Sequence, residues 1–188
     1  MEHLTRKDIK RKKIASSCCD IFTNDDFHNI SISQIAKTAG IGKGTIYEYF
    51  ENKEDIVFEL MSCLQENYDQ ILEVNIKNSE TIEDKILELF YIFIGNEKNI
   101  KIQREIYKQF LIICLTNPSA KIRKYNSELR KKYIAILDNI IDNQVISIRV
   151  YDSIVGFFVA SNSVDNYDLK DTIKTFIKYE LKNLQEKR

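Results

Sequence analysis

Apolar residues recur at intervals of three and four along nearly the whole chain, strict alternation is nowhere sustained, and five glycines are too few for many hairpins. This pattern predicts an all-α protein. A first helix from about Lys7 to Thr23 is traced by Ile9, Ile14, Cys18, Ile21 and Phe22, with Arg6, Lys7, Lys10, Arg11, Lys12 and Lys13 crowding its first turns. Positive charge at a helix amino terminus opposes the helix dipole, so the run reads either as a phosphate-contacting arm or as a solvated face. Asn52 caps a long helix with Glu54 and Asp55 in its first turn, and Ile56, Leu60, Leu64, Ile71 and Leu72 carry its apolar face to about Val74. The stretch ILELFYIFI, Ile86 to Ile94, is apolar on nearly every side, as expected of a helix enclosed by others. Further helices fall near Ile102 to Leu115, from Asn117-Pro118 (cap and first helical residue) to Ile141, from Ser147 to Ser161, and from Leu169 to Leu184.

Between the first two long helices lies NDDFHNISISQIAKTAGIGKGTIYEYF. Ser31 caps a short helix to about Thr38, Gly40 supplies the left-handed residue that ends it, and a second short helix runs from about Lys43 to Tyr49. Ala36 is small where the two helices cross, and Ile46 faces back into the crossing, which is helix-turn-helix spacing. The glycine-rich GIGKG is not a nucleotide loop: Lys37, not glycine, stands five residues before Gly42, and Lys43 is followed by Gly44 rather than a hydroxyl. A dinucleotide fingerprint would need a preceding buried strand, and SISQIAKTA is not one.

Composition narrows the function. The 188 residues carry 28 basic and 28 acidic side chains, so only the distribution of charge bears on nucleic-acid binding. No apolar stretch reaches the roughly 20 residues of a membrane span, and MEHLTRKDIKRKK has no apolar segment behind its basic residues, so a cytoplasmic protein without membrane contact is expected. Cys18, Cys19, Cys63 and Cys114 form no C-x-x-C pair, and only His3 and His28 are available beside them, which leaves no zinc-site spacing and reads as thiols in a reducing compartment. After residue 60 there is no E-x-x-H pair, histidine cluster or nucleophile motif, so neither a catalytic site nor a metal or cofactor is expected.

With RKKIASSCCDIF, ISISQIAKTAGIGKGTIYEYFENKEDI and a helical remainder of this size, the chain resembles the tetracycline-repressor (TetR) family of bacterial transcriptional regulators over about its first 60 residues. The resemblance implies a three-helix DNA-binding domain, residues 1–52, followed by a roughly six-helix ligand-binding and dimerisation bundle, residues 53–188, coupled to it through the long helix after Asn52. It also implies a homodimer on pseudo-palindromic operator DNA, released by a small molecule. Carried over by position, Lys43, Gly44, Thr45, Tyr47 and Tyr49 correspond to recognition-helix contacts, and Ser31, Ser33 and Lys53 to phosphate contacts. Two positions depart from the family pattern: Gly42 replaces a frequent serine cap, and Asp26 replaces a usual glycine before Phe27.

Phe90, Tyr91 and Phe93 on the enclosed helix, with Tyr107, Phe110, Cys114, Tyr133, Leu137, Phe157 and Phe158 on the helices that the family places around it, form an apolar and aromatic set without arginine or lysine, fit for a mainly apolar or aromatic effector. Dimerisation is expected through Leu169, Ile173, Phe176, Ile177 and Leu181 of the last helix, with Gly156 and Ala160 permitting close approach on the helix before it. The alternative is a helical interaction protein or an unspecific nucleoid binder without an effector.

Overall fold

A computed structural model describes residues 5–116 and 118–186. Among these residues the chain is helical, with no strand. The helices are α1 (Arg6–Ser17), α2 (Cys19–Asn24), α3 (Ile32–Thr38), α4 (Lys43–Tyr49), α5 (Lys53–Asn78), α6 (Ile82–Leu89), α7 (Tyr91–Ile94), α8 (Lys98–Thr116), α9 (Ala120–Ile141), α10 (Gln144–Ser161) and α11 (Leu169–Gln185), with a 3-10 turn at Phe27–Asn29.

Local hydrogen bonding accounts for most boundaries. Thr5 and Asp8 form a capping box at the start of α1, and Ser31 and Gln34 form another at α3. Asn52 Oδ1 accepts from the Asp55 amide at 2.8 Å to open α5, Asn143 caps α10 and Asp168 caps α11. The expected first helix is interrupted at Cys18, where the backbone departs from helical angles before α2 continues to Asn24. The enclosed apolar helix is likewise two pieces, α6 and α7, broken at Phe90. Helix α9 starts at Ala120 rather than Pro118, because the Ser119 hydroxyl accepts from the Ile122 amide and acts as its cap; the expected cap, Asn117, lies outside the described residues. Asp26 has φ −66° and accepts from the His28 amide, so the turn that a family glycine usually makes needs no left-handed residue here.

The chain divides into two compact units. The first comprises the chain to Asp69 together with Glu97–Ile122, so α8, placed with the bundle by a division at residue 52, folds with the amino-terminal helices. Its core contains Ile14, Phe22, Phe27, Ile35, Ile46, Phe50, Ile56 and Phe110, all buried; each such side chain contributes about 1.5–3 kcal/mol by leaving water. Helix α2 packs along α8, where the Gln109 side-chain amide donates to the carbonyls of Phe22 and Asp25 at 3.4 and 3.3 Å.

The second unit is Gln70–Asn96 with the chain from Arg123 onward. Helix α11 packs on α10, α6 and α7 around Ile86, Leu89, Phe158, Ile173 and Ile177. By length and composition the 18-residue α10 is apolar enough to cross a membrane, which the expectation of no such stretch did not anticipate. Its buried side includes Ser147, Tyr151, Ile154 and Phe158, and its Arg149 pairs with the buried Glu180 of α11 at 3.5 Å. That packing accounts for its apolarity as a bundle helix.

Candidate nucleic-acid interface

The turn between α3 and α4 is built from backbone bonds that only one conformation allows. Gly40 has φ +65°, its amide donates to the Lys37 carbonyl at 3.2 Å, and the Ile41 amide donates to the Ala36 carbonyl at 3.0 Å. This pair of bonds is the Schellman motif, and a Cβ at Gly40 would be strained by the backbone angle. Helix α4 then opens at Gly42, which has extended backbone angles and no side-chain cap. Ile46 on α4 and Ala36 on α3 are both buried where the helices cross.

With Ile46 facing inward, the opposite side of α4 is left to solvent. Lys43, Gly44 and Tyr47 are exposed, Tyr47 by 54%, while Thr45 and Tyr49 are half-buried. Gly44 is informative: a Cβ built there meets nothing within 4 Å, so packing within the chain does not require glycine. Glycine in a helix interior costs about 1 kcal/mol relative to alanine, and a side chain missing for no internal reason leaves room for a partner's approach. Ser33 is exposed near the start of α3. The hydroxyl of Ser31 is engaged with the Gln34 amide and side chain, at 3.2 and 2.8 Å, as a cap.

Lys53 is placed differently from the expected phosphate contact. Its ammonium donates to the carbonyls of Phe27, His28 and Ile30 at 2.5, 3.3 and 2.9 Å and lies 4.3 Å from the centre of the Phe27 ring. All three of its N–H groups are directed inward, so the side chain locks the turn leading into α3. Lys53→Met should therefore lower stability by roughly 1.5–3 kcal/mol, the scale of hydrogen bonds to a charged group. The salt dependence of binding to random DNA should be unchanged; denaturant titration and binding at several salt concentrations measure the two effects.

Two members of the basic run also turn inward. Arg11 Nε donates to Glu59 at 2.9 Å, its Nη2 to Asp55 at 3.2 Å and its Nη1 to the Tyr49 carbonyl, while Lys12 pairs with Glu66 at 2.6 Å. Lys121, in the first turn of α9, reaches the same Asp55 oxygen at 3.0 Å. Burial alone would raise the Asp55 pKa, but the hydrogen bonds from Arg11 and Lys121 outweigh it and hold the carboxyl below its ordinary value. An open cleft of about 720 Å³ beside this cluster is lined by Lys7, Tyr47, Tyr49 and Lys121 among others.

The remaining expected site residues divide between the units. In the first, Tyr107 and Phe110 of α8 are buried and Cys114 is half-buried. In the second, Phe90, Phe93, Tyr133, Leu137 and Phe158 are buried, with Tyr91 and Phe157 half-buried. Phe93 stacks on Phe158 with ring centres 4.3 Å apart, and Tyr151, absent from the sequence-based set, lies 6.1 Å from Phe90 and 6.2 Å from Tyr133. Burial pushes the Tyr151 hydroxyl up to about 12.

On α11, Ile173 and Ile177 are fully buried within the single chain, which corrects their place on a dimer face. Leu169, Phe176, Leu181 and Ala160 are half-buried and Gly156 is exposed, while Phe157 meets Phe176 edge-on at 5.3 Å. Val159 and Tyr179, which periodicity did not single out, are exposed by 45% and 62%.

A capped helix, a glycine turn and a second helix with one face buried and the other open define a helix-turn-helix DNA-binding protein. Residues 19–60 match the family described as bacterial regulatory proteins, tetR family. Over 141 residues the chain is 27% identical to the fatty acid metabolism regulator protein of Bacillus subtilis (strain 168), covering 73% of this chain and 69% of that protein. It is also 27% identical over 124 residues to an HTH-type transcriptional regulator of Staphylococcus aureus (strain USA300), covering 65% of this chain and 63% of that protein's length. The fold is similar to that of a TetR-family transcriptional regulator from Cytophaga hutchinsonii, with a TM-score of 0.71, 17% identity, and 97% and 98% of the two chains covered. Residues 19–60 thus carry the helix-turn-helix segment of the tetR family, and the chain is similar to TetR-family transcriptional regulators over most of its length.

Proposed function

We propose that the protein is a cytoplasmic, ligand-responsive repressor that binds a pseudo-palindromic operator as a homodimer and is released by a small, mainly apolar or aromatic effector. The observation that carries the DNA-reading part is the open face of α4, where Lys43, Gly44, Thr45 and Tyr47 combine a cation, a bare backbone, a hydroxyl with a methyl, and a ring with a polar tip. Selection of duplexes from a randomised library followed by footprinting tests it. A repressor enriches a short two-fold symmetric site and protects it; a nucleoid binder enriches nothing and protects no discrete site.

The effector is assigned to the aromatic cluster of the second unit, around Phe90, Phe93, Tyr133, Leu137 and Phe158. Support comes from its chemistry: rings surround it, Tyr133 and Tyr151 bring hydroxyl groups, and the nearby Arg130 is held by two bonds to Asp152 at 2.9 and 2.7 Å. The Bacillus subtilis relative's name, a fatty acid metabolism regulator, agrees with an apolar ligand class. Because Phe93 and Phe158 are stacked in contact, a ligand entering between them must favour a different packing, and a coupling of about 1–3 kcal/mol to DNA binding is the usual scale. Among apolar compounds that release the wild-type protein from its selected duplex, Tyr133→Phe should weaken the response by about 0.5–1.5 kcal/mol, one hydrogen bond, with operator binding kept. Full response from both Tyr133→Phe and Phe93→Ala, or release only by polyanions, would place the effector elsewhere.

A further inference from the structure

Helix α4 has seven residues, far too few to hold its shape or direction alone. Its first turn has no side-chain cap, so its orientation depends on Ile46, on Phe50 at its end, and on whatever holds its last carbonyls. Arg11 holds one of them. The guanidinium donates to the carbonyl of Tyr49, the last residue of α4, sits 4.4 Å from the centre of the Phe50 ring, and is anchored on α5 through Asp55 and Glu59. Its side chain is only 14% exposed, and two carboxylates face it, with Lys121 sharing Asp55. A guanidinium so neutralised has little field left for a phosphate, whereas a cation at a helix carboxyl end is favoured by the dipole.

We infer that Arg11 is a positioning residue for DNA readout: it clamps the carboxyl end of α4 to α5 and so fixes the direction in which Thr45 and Tyr47 are presented. This rests on the reading of α4 as the recognition helix. Three acceptors in different directions need the planar fork of arginine, and a lysine ammonium cannot reproduce it.

The test uses the full chain with Arg11→Lys, Arg11→Gln and, for comparison, a neutralised exposed neighbour, Lys13→Gln. The probes are a duplex selected by the wild-type protein and a scrambled duplex of the same composition, titrated at several salt concentrations, together with amide hydrogen exchange. Both Arg11 variants should lower the selected-to-scrambled affinity ratio by about tenfold or more, the scale of one lost base contact. Binding to the scrambled duplex and its salt slope should stay as in the wild type, and exchange should quicken across α4 relative to α3. Lys13→Gln should leave the ratio and the α4 exchange unchanged. Equal losses on both duplexes with a salt slope lower by about one would make Arg11 a phosphate contact and overturn the inference. Unchanged exchange across α4 would overturn it as well, and that measurement needs no DNA, so it decides the matter even if the wild-type protein selects no duplex and the operator reading fails. Should Arg11→Gln not fold, Arg11→Lys, which keeps the charge, carries both readouts.

Discussion

Val159→Arg combined with Tyr179→Glu is expected to give a folded monomer whose affinity for the selected duplex is lower by about a thousandfold or more. Val159 and Tyr179 are large, exposed and apolar or nearly so, on α10 and α11, which pack on each other. Beside them, Asp171, Thr172, Thr175, Phe176 and Tyr179 line a shallow cleft of about 450 Å³. Gly156, one turn before Val159, is a mid-helix glycine around which an added Cβ would meet nothing within 4 Å, so the subunit itself has no use for the missing side chain. These features favour close approach of a second α10–α11 pair, an interface of four helices. One short recognition helix reads few base pairs, and two presented about 34–36 Å apart supply the rest. Losing the second half-site should bring binding close to the unspecific level, about three or more orders of magnitude weaker. Sedimentation velocity reports the assembly state and fluorescence titration the affinity; a dimer persisting in the double variant would defeat the proposed interface. Charged residues at Ile173 or Ile177 would be a poor test, because both are buried in the subunit core and their loss costs about 2–5 kcal/mol of folding stability whatever the interface.

Substitutions on α4 should separate readout from stability. Tyr47→Ala and Thr45→Ala are each expected to weaken binding to the selected duplex by about 1–3 kcal/mol, one good base contact, with a much smaller loss on random sequence. Tyr47 is mostly exposed, so its truncation leaves the fold nearly untouched. Gly44→Ala should act in opposite directions on the two properties. With no neighbour within 4 Å to clash, the alanine should stabilise the helix by about 1 kcal/mol, while its methyl group, standing where DNA backbone or base edges approach, should weaken operator binding. Thermal unfolding and titration on the two duplexes provide both readings. Equal losses on both duplexes would remove Tyr47 from base readout, and unimpaired operator binding by Gly44→Ala would remove the reason offered for the glycine.

The parts of the site governed by short-range physics were legible in the sequence. Ser31, Gly40 and Ile46 lie close together along the chain, and each acts within its own turn or across one crossing: a cap, a left-handed residue and a buried contact. What escaped were partners far apart in sequence. Arg11 finds Asp55 and Glu59, Lys12 finds Glu66, and Lys53 reaches back to carbonyls before α3. A run of basic residues looks the same to a periodicity argument whether its charges meet solvent, phosphate or a carboxylate on another helix. The same limit affected α11, which packs on other helices of its own chain: an apolar stripe marks a buried face without saying that Ile173 and Ile177 are already covered within the subunit. Breaks at Cys18 and Phe90 were missed because neither residue is a helix breaker.

The four cysteines, all free, share one condition. Burial raises the pKa of each, to about 11 for Cys63 and Cys114. At a pKa of about 11 only about one thiol in ten thousand is the reactive thiolate at neutral pH, so Cys63 and Cys114 should react slowly with peroxides and electrophiles in the surrounding solution. Cys18 lies in the helical core beneath α3, its sulfur directed toward the Ile35 carbonyl at 4.0 Å. A protein whose thiols are held in this way should respond little to swings in cellular redox balance.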